Sequence, residues 1–252
     1  MNDADPVPQP RARFDTTQWS VILRARDASV DETREAVSHL AQAYWYPLYV
    51  FSRRQGNSEH DAMDLTQGFF VHVLNGRILE NVSPEKGRFR SFLLAAFRNF
   101  MANQRRASGA ERRGGGTTIL SLDAEDVASR YAREPSHDET PEVSYHRNWA
   151  EALLVNVRRK LADDYHKAGK SELFALLEPH LTGQGDAESR TRIGRKFQLS
   201  VGAVNMSIHR LRRRFGELLR QEVAATVVDP ADVDDELLWL MNAVGRAANH
   251  RA

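Results

Sequence analysis

The spacing of the apolar residues is the feature that most constrains the fold. In the first 106 residues apolar side chains recur every three or four positions, and no long stretch alternates apolar with polar residues. Recurrence at three to four residues places side chains on one face of an α-helix, whereas a half-buried strand needs strict alternation. The helical spacing returns at about Val143. The sequence therefore predicts an all-α fold.

Turn signals divide this pattern into two small helical domains. Residues 107–142 contain Gly114-Gly115-Gly116, two prolines and several acids, a composition typical of a flexible linker with at most a short turn. The predicted organisation is a flexible N-terminal arm (residues 1–13), a first domain (14–106), the linker (107–142), a second domain (143–225) and a C-terminal extension (226–252).

Three longer helices are predicted in the first domain, after a helical start near Thr16. Pro47 should bend or interrupt the first of them, because proline has no amide N–H to donate. Asn57 or Ser58 is a suitable N-cap for the second, which should end near Asn75. The predicted spans of the three helices are residues 31–51, 58–75 and 89–106.

Composition excludes several classes of protein. The hydrophobic fraction of 41% is sufficient for a core, so wholesale disorder is excluded. The absence of cysteine excludes a disulfide framework, a thiolate nucleophile, an iron–sulfur cluster and a Cys-ligated zinc site. The longest uncharged run, residues 36–52, includes His39 and Pro47 and is not typical of a membrane span. With no apolar segment near Met1 to act as a signal peptide, we expect a cytoplasmic protein.

The net charge of +1 averages over opposed blocks. Residues 86–113 hold eight Lys or Arg against one acid, and residues 190–220 hold nine against one. Residues 221–239 carry six acids and no base. Two separated basic segments indicate either two contacts with a polyanion or two solvated helix faces, and charge alone does not decide between them.

Residues 191–211 have the pattern of a helix-turn-helix. Ile193 faces inward, Gly194 allows close helix approach, Leu199 plugs the turn and Ser200 can cap the second helix. Val201, Val204, Ile208, Leu211, Phe215 and Leu218 form the predicted buried stripe of that helix. Small and polar residues on the other face suit a major groove and its phosphates, although an ordinary basic helix hairpin is the alternative. The predicted DNA-facing residues are Ser200, Gly202, Ala203, Asn205, Met206, His209, Arg210 and Arg213.

Together with three strings in the first half, this motif resembles the extracytoplasmic-function (ECF) sigma factors of bacterial RNA polymerase, most of all the planctomycete type. The first-half strings are YWYPLY (residues 44–49), DAMDLTQGFF (61–70) and GRFRSFLL (87–94), continued by Asn99 and Asn103. The second-half strings are LSVGAV (199–204) and IHRLRRR (208–214). The resemblance covers most of the chain.

The resemblance implies a role for each half. The second predicted helix would dock on the clamp helices of the polymerase beta-prime subunit through Asp61, Asp64, Leu65, Gln67 and Phe70. The loop before residue 89 and the third helix would hold unstacked bases and phosphates of the minus-ten element through Lys86, Arg88, Arg98, Asn99, Asn103, Arg105 and Arg106. The helix-turn-helix would bind the minus-thirty-five duplex. The implied partners are core polymerase (clamp helices and beta flap), promoter DNA and an anti-sigma or other regulator.

Two departures from the family accompany the match. Asn205 stands where the family often has lysine, and residues 226–252 extend past the usual end. Apolar residues such as Leu237 and Leu240 predict that this extension packs back as a short amphipathic helix, or else binds a regulator.

Catalytic templates are absent from the sequence. It contains no Gly-x-Ser-x-Gly, no P-loop lysine after the glycine run and no His-Glu-x-x-His, and His60 with Asp64 is too small a set for a metal site. We therefore predict no enzyme activity, no catalytic residue, no metal and no cofactor. The alternatives to a sigma factor are a stand-alone helix-turn-helix regulator and an interaction scaffold.

Overall fold

The computed structural model describes residues 30–75, 87–107, 124–134 and 139–249. Within them the backbone is 85% helical and has no strand, so the predicted all-α class is confirmed. The predicted helical start at Thr16, the glycine run and Lys86 lie outside the described residues. The described helices are α1 (Val30–Arg54), α2 (Glu59–Leu74), α3 (Phe89–Ala107), α4 (Ala124–Ala132), α5 (Pro141–Lys167), α6 (Ser171–Leu177), α7 (Ala187–Phe197), α8 (Val201–Ala224) and α9 (Val233–Asn249).

Helix α1 is the buried centre of the first half of the fold, which comprises α1–α4; the second half comprises α5–α8. Every residue from 44 to 52 is buried. The helix continues through Pro47, so of the predicted bend or interruption, the interruption does not occur. An interior proline costs a helix about 3 kcal/mol. Burial of a single large apolar side chain contributes about 1.5–3 kcal/mol. The buried side chains around Pro47, among them Tyr44, Leu48 and Phe51, therefore offset the missing hydrogen bond.

Helices α2 and α3 pack across α1 with the predicted boundaries. The Ser58 hydroxyl oxygen accepts a hydrogen bond from the Asp61 amide at 3.1 Å and caps α2. Phe69 of α2 meets Phe97 and Phe100 of α3 edge to face, with ring centroids 5.1 and 5.7 Å apart. The aromatic stripe of α3 is thus hydrophobic core, and the opposite, polar face of α3 points to solvent.

Helix α4 lies within the predicted linker and corrects the expectation that this segment is irregular. Val127 is buried, and the Tyr131 ring meets the Tyr49 ring edge to face at 5.9 Å. The Tyr46 hydroxyl donates a hydrogen bond to Glu134 at 2.9 Å. Such a short helix is stable only through packing of this kind, which the linker composition does not reveal.

The long helix α5 joins the two halves. The Trp149 ring of α5 stacks on the Tyr44 ring of α1, with ring centroids 6.4 Å apart. The Tyr145 ring meets the Phe51 ring edge to face, with centroids 6.5 Å apart. All four side chains are fully or almost fully buried. In the described residues, therefore, the two predicted domains share a hydrophobic core in addition to their linker. The boundaries assigned to the domains stay a prediction.

The C-terminal extension packs back against the second half, which is one of the two outcomes predicted for it. Helix α9 lies against α5 and α8, with Val233 and Leu240 buried. The Trp239 ring lies 6.0 Å from Trp149. Leu238 and Met241 are more than half exposed, so only one side of α9 is covered.

Candidate nucleic-acid interface

The helix-turn-helix forms as the sequence predicts. Gln198 adopts the left-handed conformation at φ 54° and ends α7. The Ser200 hydroxyl oxygen then accepts from the Ala203 amide at 3.2 Å and caps α8. A β-carbon at Gly194 would lie 2.9 Å from the Leu199 carbonyl oxygen, which explains why glycine occupies this position.

One face of α8 is buried and the other is presented to solvent. Val204, Ile208, Leu211 and Leu218 are buried, and Phe215 is half-buried. Val201 is 66% exposed, so its predicted place in the buried stripe is wrong. It occupies the first turn of α8, beyond the point where α7 covers the helix. Of the predicted DNA-facing residues, Ala203 is half-buried and the others are exposed, namely Ser200, Gly202, Asn205, Met206, His209, Arg210 and Arg213.

The arginines of α8 have different environments. Arg212 donates to the His180 carbonyl at 2.7 and 3.1 Å, and Arg214 donates twice to Asp164 at 2.7 and 2.9 Å. These two side chains brace α8 within the second half. Arg210 instead lines an open cleft of about 270 Å³ and is exposed, with no ion pair among the described residues.

The predicted minus-ten residues lie along the polar side of α3. Asn99, Asn103, Arg105 and Arg106 are exposed there. Arg98 forms an ion pair with Glu142 of α5. The sixth described member of the set, Arg88, is half-buried at the beginning of the helix.

Arg88 and Arg90 converge on a single carboxylate of α9. Arg88 Nε lies 2.8 Å from Glu236 Oε2, and Arg90 donates to both carboxylate oxygens, at 2.6 and 3.1 Å. Arg90 is 3% exposed and Glu236 is 0% exposed. Arg90 does not stand out in the sequence, because its partner is 146 positions away and nothing local distinguishes it from its basic neighbours.

Three side chains complete the surroundings of Arg90. Its Cζ lies 3.5 Å from the Trp239 ring centroid and 5.4 Å from that of Trp149. Its Nη1 lies 3.0 Å from His146 Nδ1. Burial and the adjacent Arg90 lower the pKa of His146 to about 4, so its ring is neutral at pH 7 and Nδ1 accepts from the guanidinium.

The predicted docking residues on α2 are unevenly exposed. Asp64 is exposed, and its Oδ2 lies 3.4 Å from Nε2 of His60, one turn earlier on the helix. Asp61, Leu65 and Gln67 are half-buried. Phe70 is fully buried and packs on Phe69, so it belongs to the core and has no surface for a partner in this conformation.

The described residues contain neither a membrane-spanning helix nor a metal-binding cluster. None of their helices combines the length and apolar character needed to cross a bilayer. Nowhere do they bring together three or more His, Asp or Glu side chains placed to hold a metal ion.

The comparisons with known proteins agree with the sequence strings. The chain is 26% identical over 219 residues to the ECF RNA polymerase sigma factor SigE of Mycolicibacterium smegmatis, an alignment that covers 87% of this chain and 71% of that protein. No family model and no solved structure matches the chain. The similarity to SigE supports the resemblance to ECF sigma factors, and the all-α fold is consistent with it.

Proposed function

We propose that this chain is an RNA polymerase sigma factor. It is a non-enzymatic cytoplasmic subunit that binds core polymerase, recognises a promoter and assists strand opening. The observation that carries the proposal is the capped recognition helix α8 with an exposed polar face, in a chain similar over most of its length to a sigma factor. Assignment to the planctomycete type rests on the sequence strings alone.

The second half would bind duplex DNA at the minus-thirty-five element. The exposed first turns of α8 offer the small side chain of Gly202 and the polar side chains of Asn205 and His209, which suit base edges in a major groove. Arg210 and Arg213 follow on the same exposed face and would hold phosphates. Because an asparagine cannot form an ion pair with phosphate, Asn205 would contribute base contact instead of the charge that lysine supplies in the family.

The first half would hold the melted minus-ten strand. Strand opening requires bases kept out of the stack, and amides suit base edges while guanidinium groups suit the backbone. Helix α3 presents both types on its exposed side, as Asn99 and Asn103 with Arg105 and Arg106. Arg88 and Arg98 join this set once their present carboxylate partners are released.

Core polymerase would dock on α2 and on the second half. The exposed Asp64, with the half-buried Asp61 and Gln67, forms the polar part of the α2 surface, and the half-buried Leu65 forms its apolar part. We assign this surface to the beta-prime clamp helices and the second half to the beta flap. Phe70 supports the surface from the core.

The test is a pull-down with core polymerase followed by run-off transcription. Wild type should be retained and should direct transcripts from a genomic promoter library. Asp64→Arg should be retained at least about tenfold less, because a reversed charge in a docking surface costs more than about 1.4 kcal/mol. The matched control is Glu35→Arg, which reverses an exposed acid on α1, outside both surfaces assigned to the polymerase. A wild-type chain that washes through core polymerase yet binds duplex DNA would replace the proposal with a stand-alone regulator.

A further inference from the structure

The contact between α9 and the beginning of α3 has the chemistry of an occupied anion site. Two guanidinium groups, from Arg88 and Arg90, converge on the Glu236 carboxylate with three N–O distances of 2.6–3.1 Å. Paired guanidinium donors bind phosphate oxygens in the same forked manner as carboxylate oxygens. The beginning of a helix also carries partial positive charge, which favours either anion.

The same helix that supplies the anion also covers the site. Trp239 follows Glu236 by one turn, and its ring lies 3.5 Å from Arg90 Cζ. The chain between α8 and α9 adds a backbone contact, because the Phe89 amide donates to the Thr226 carbonyl at 2.9 Å. The beginning of α3 is thus closed by the C-terminal extension.

A second cation of α3 is held by the second half in the same conformation. Arg98 is paired with Glu142 at the start of α5. Of the described residues assigned above to the minus-ten strand, Arg88 is therefore paired with an acid of α9 and Arg98 with an acid of α5, whereas Asn99, Asn103, Arg105 and Arg106 remain exposed.

We propose that α9 is an internal competitor of promoter DNA, whose Glu236 carboxylate occupies the Arg88–Arg90 pair that a strand phosphate takes when the two halves separate. This inference rests on the sigma-factor function proposed above. It also assigns Arg90, together with Arg88, to the DNA-binding set.

The energetics suit replacement of one anion by another. A buried ion pair adds little net stability, because desolvation offsets the attraction, but removal of one partner is strongly unfavourable. Opening would expose the buried side chains of α9, among them Val233 and Leu240, to water, so the closed form persists in the free chain. A phosphate that takes the place of Glu236 keeps the guanidinium groups paired, and promoter DNA can therefore release α9.

The experiment compares Glu236→Gln with wild type and with Asp234→Asn. Asp234 lies on the same helix but is exposed and pairs with Arg220 of α8, so its change removes an ion pair without touching α3. Trp239→Leu is a second weakening variant that leaves the buried carboxylate paired. Thermal unfolding followed by circular dichroism confirms that each full-length chain is folded.

Amide hydrogen exchange of the free chain measures closure. In Glu236→Gln and Trp239→Leu, amides in the first turns of α3 and in α9 should exchange at least about tenfold faster, since the contacts that protect them are weakened. In Asp234→Asn, the same amides should exchange at the wild-type rates. Unchanged exchange in both weakening variants would overturn the proposal that α9 closes this site.

Run-off transcription with core polymerase at limiting chain concentration measures competition. The two weakening variants should give more transcript than wild type, by about twofold or more, since a larger open fraction raises apparent affinity in proportion. Faster exchange with equal or less transcript would overturn the competitor role and leave the sigma-factor function intact. No transcript from any chain, wild type included, would instead overturn the sigma-factor function, and the competitor role with it.

Discussion

At the scale of single residues, the turn between α7 and α8 depends on one close approach. A β-carbon at Gly194 would lie 2.9 Å from the Leu199 carbonyl oxygen, which is backbone and cannot rotate away. We expect Gly194→Ala to lower the free energy of unfolding by about 1–3 kcal/mol, as overpacking of a fixed site does. Denaturant unfolding measures the change.

Gly216 supplies the matched control for that substitution. It lies in the interior of α8, and a β-carbon added there would have no neighbouring side chain or other helix within 4 Å. Gly216→Ala should therefore raise the free energy of unfolding by up to about 1 kcal/mol through helix propensity. Equal effects of the two alanines would show that the close approach at Gly194 does not exist in solution.

Arg210 offers a residue-scale test of DNA contact. It is exposed beside the cleft that includes Lys170 and Ser207, whereas Arg214 on the same helix is held by Asp164. Arg210→Ala in the holoenzyme should weaken promoter binding and reduce the slope of log affinity against log salt by about one, as loss of one phosphate contact does.

An exposed arginine away from α8 is the control for that slope. Arg159 lies on α5 and pairs with Asp163 at 3.8 Å on the helix surface. Arg159→Ala should leave the salt slope unchanged. If Arg210→Ala also leaves it unchanged, the side chain does not meet a phosphate.

At the scale of elements, sequence periodicity predicted most of the helices but not their contacts. The caps Ser58 and Ser200 and the buried stripe from Val204 follow from local sequence, because capping and amphipathic spacing are local properties. Helix α4 was missed because its short apolar face gains stability only against α1. Arg90 was missed because its role depends on Glu236, which only the folded chain brings near.

The contact between α3, α5 and α9 should respond to pH through His146. Burial and Arg90 lower the pKa of this imidazole to about 4, with Arg98 and Arg88 acting in the same direction and Glu142 opposing them. The unfolded chain binds a proton at His146 near pH 6.5, whereas the folded chain resists it until about pH 4. The stabilising contribution is therefore complete above pH 6.5 and is lost as the pH falls from 6.5 to 4.

His146→Gln isolates that effect. We expect the free energy of unfolding of wild type to fall by roughly 2–3 kcal/mol more than that of the variant between pH 7 and pH 4.5, from the linkage between protonation and folding. Urea unfolding at a series of pH values measures both chains. Parallel pH profiles would mean that His146 is not buried beside Arg90 in solution.

At the scale of the whole molecule, the two halves are coupled through α5. Its Trp149 lies between Tyr44 of α1 and Trp239 of α9, and it is 1% exposed. A chain of two lobes joined only by a linker would unfold each lobe independently. A shared core instead makes the free energy of each half depend on contacts with the other.

Trp149→Ala tests this coupling. The substitution should cost about 3–5 kcal/mol, typical of a buried tryptophan replaced by alanine, and should speed amide exchange in α1 as well as in α8. Val155→Ala, at a 62% exposed position of the same helix, should change stability by less than about 0.5 kcal/mol and leave both regions protected. Faster exchange confined to the second half would mean that the halves separate freely in solution. In that case the paired Arg88 and Arg98 describe a minor state, and α9 has little to release.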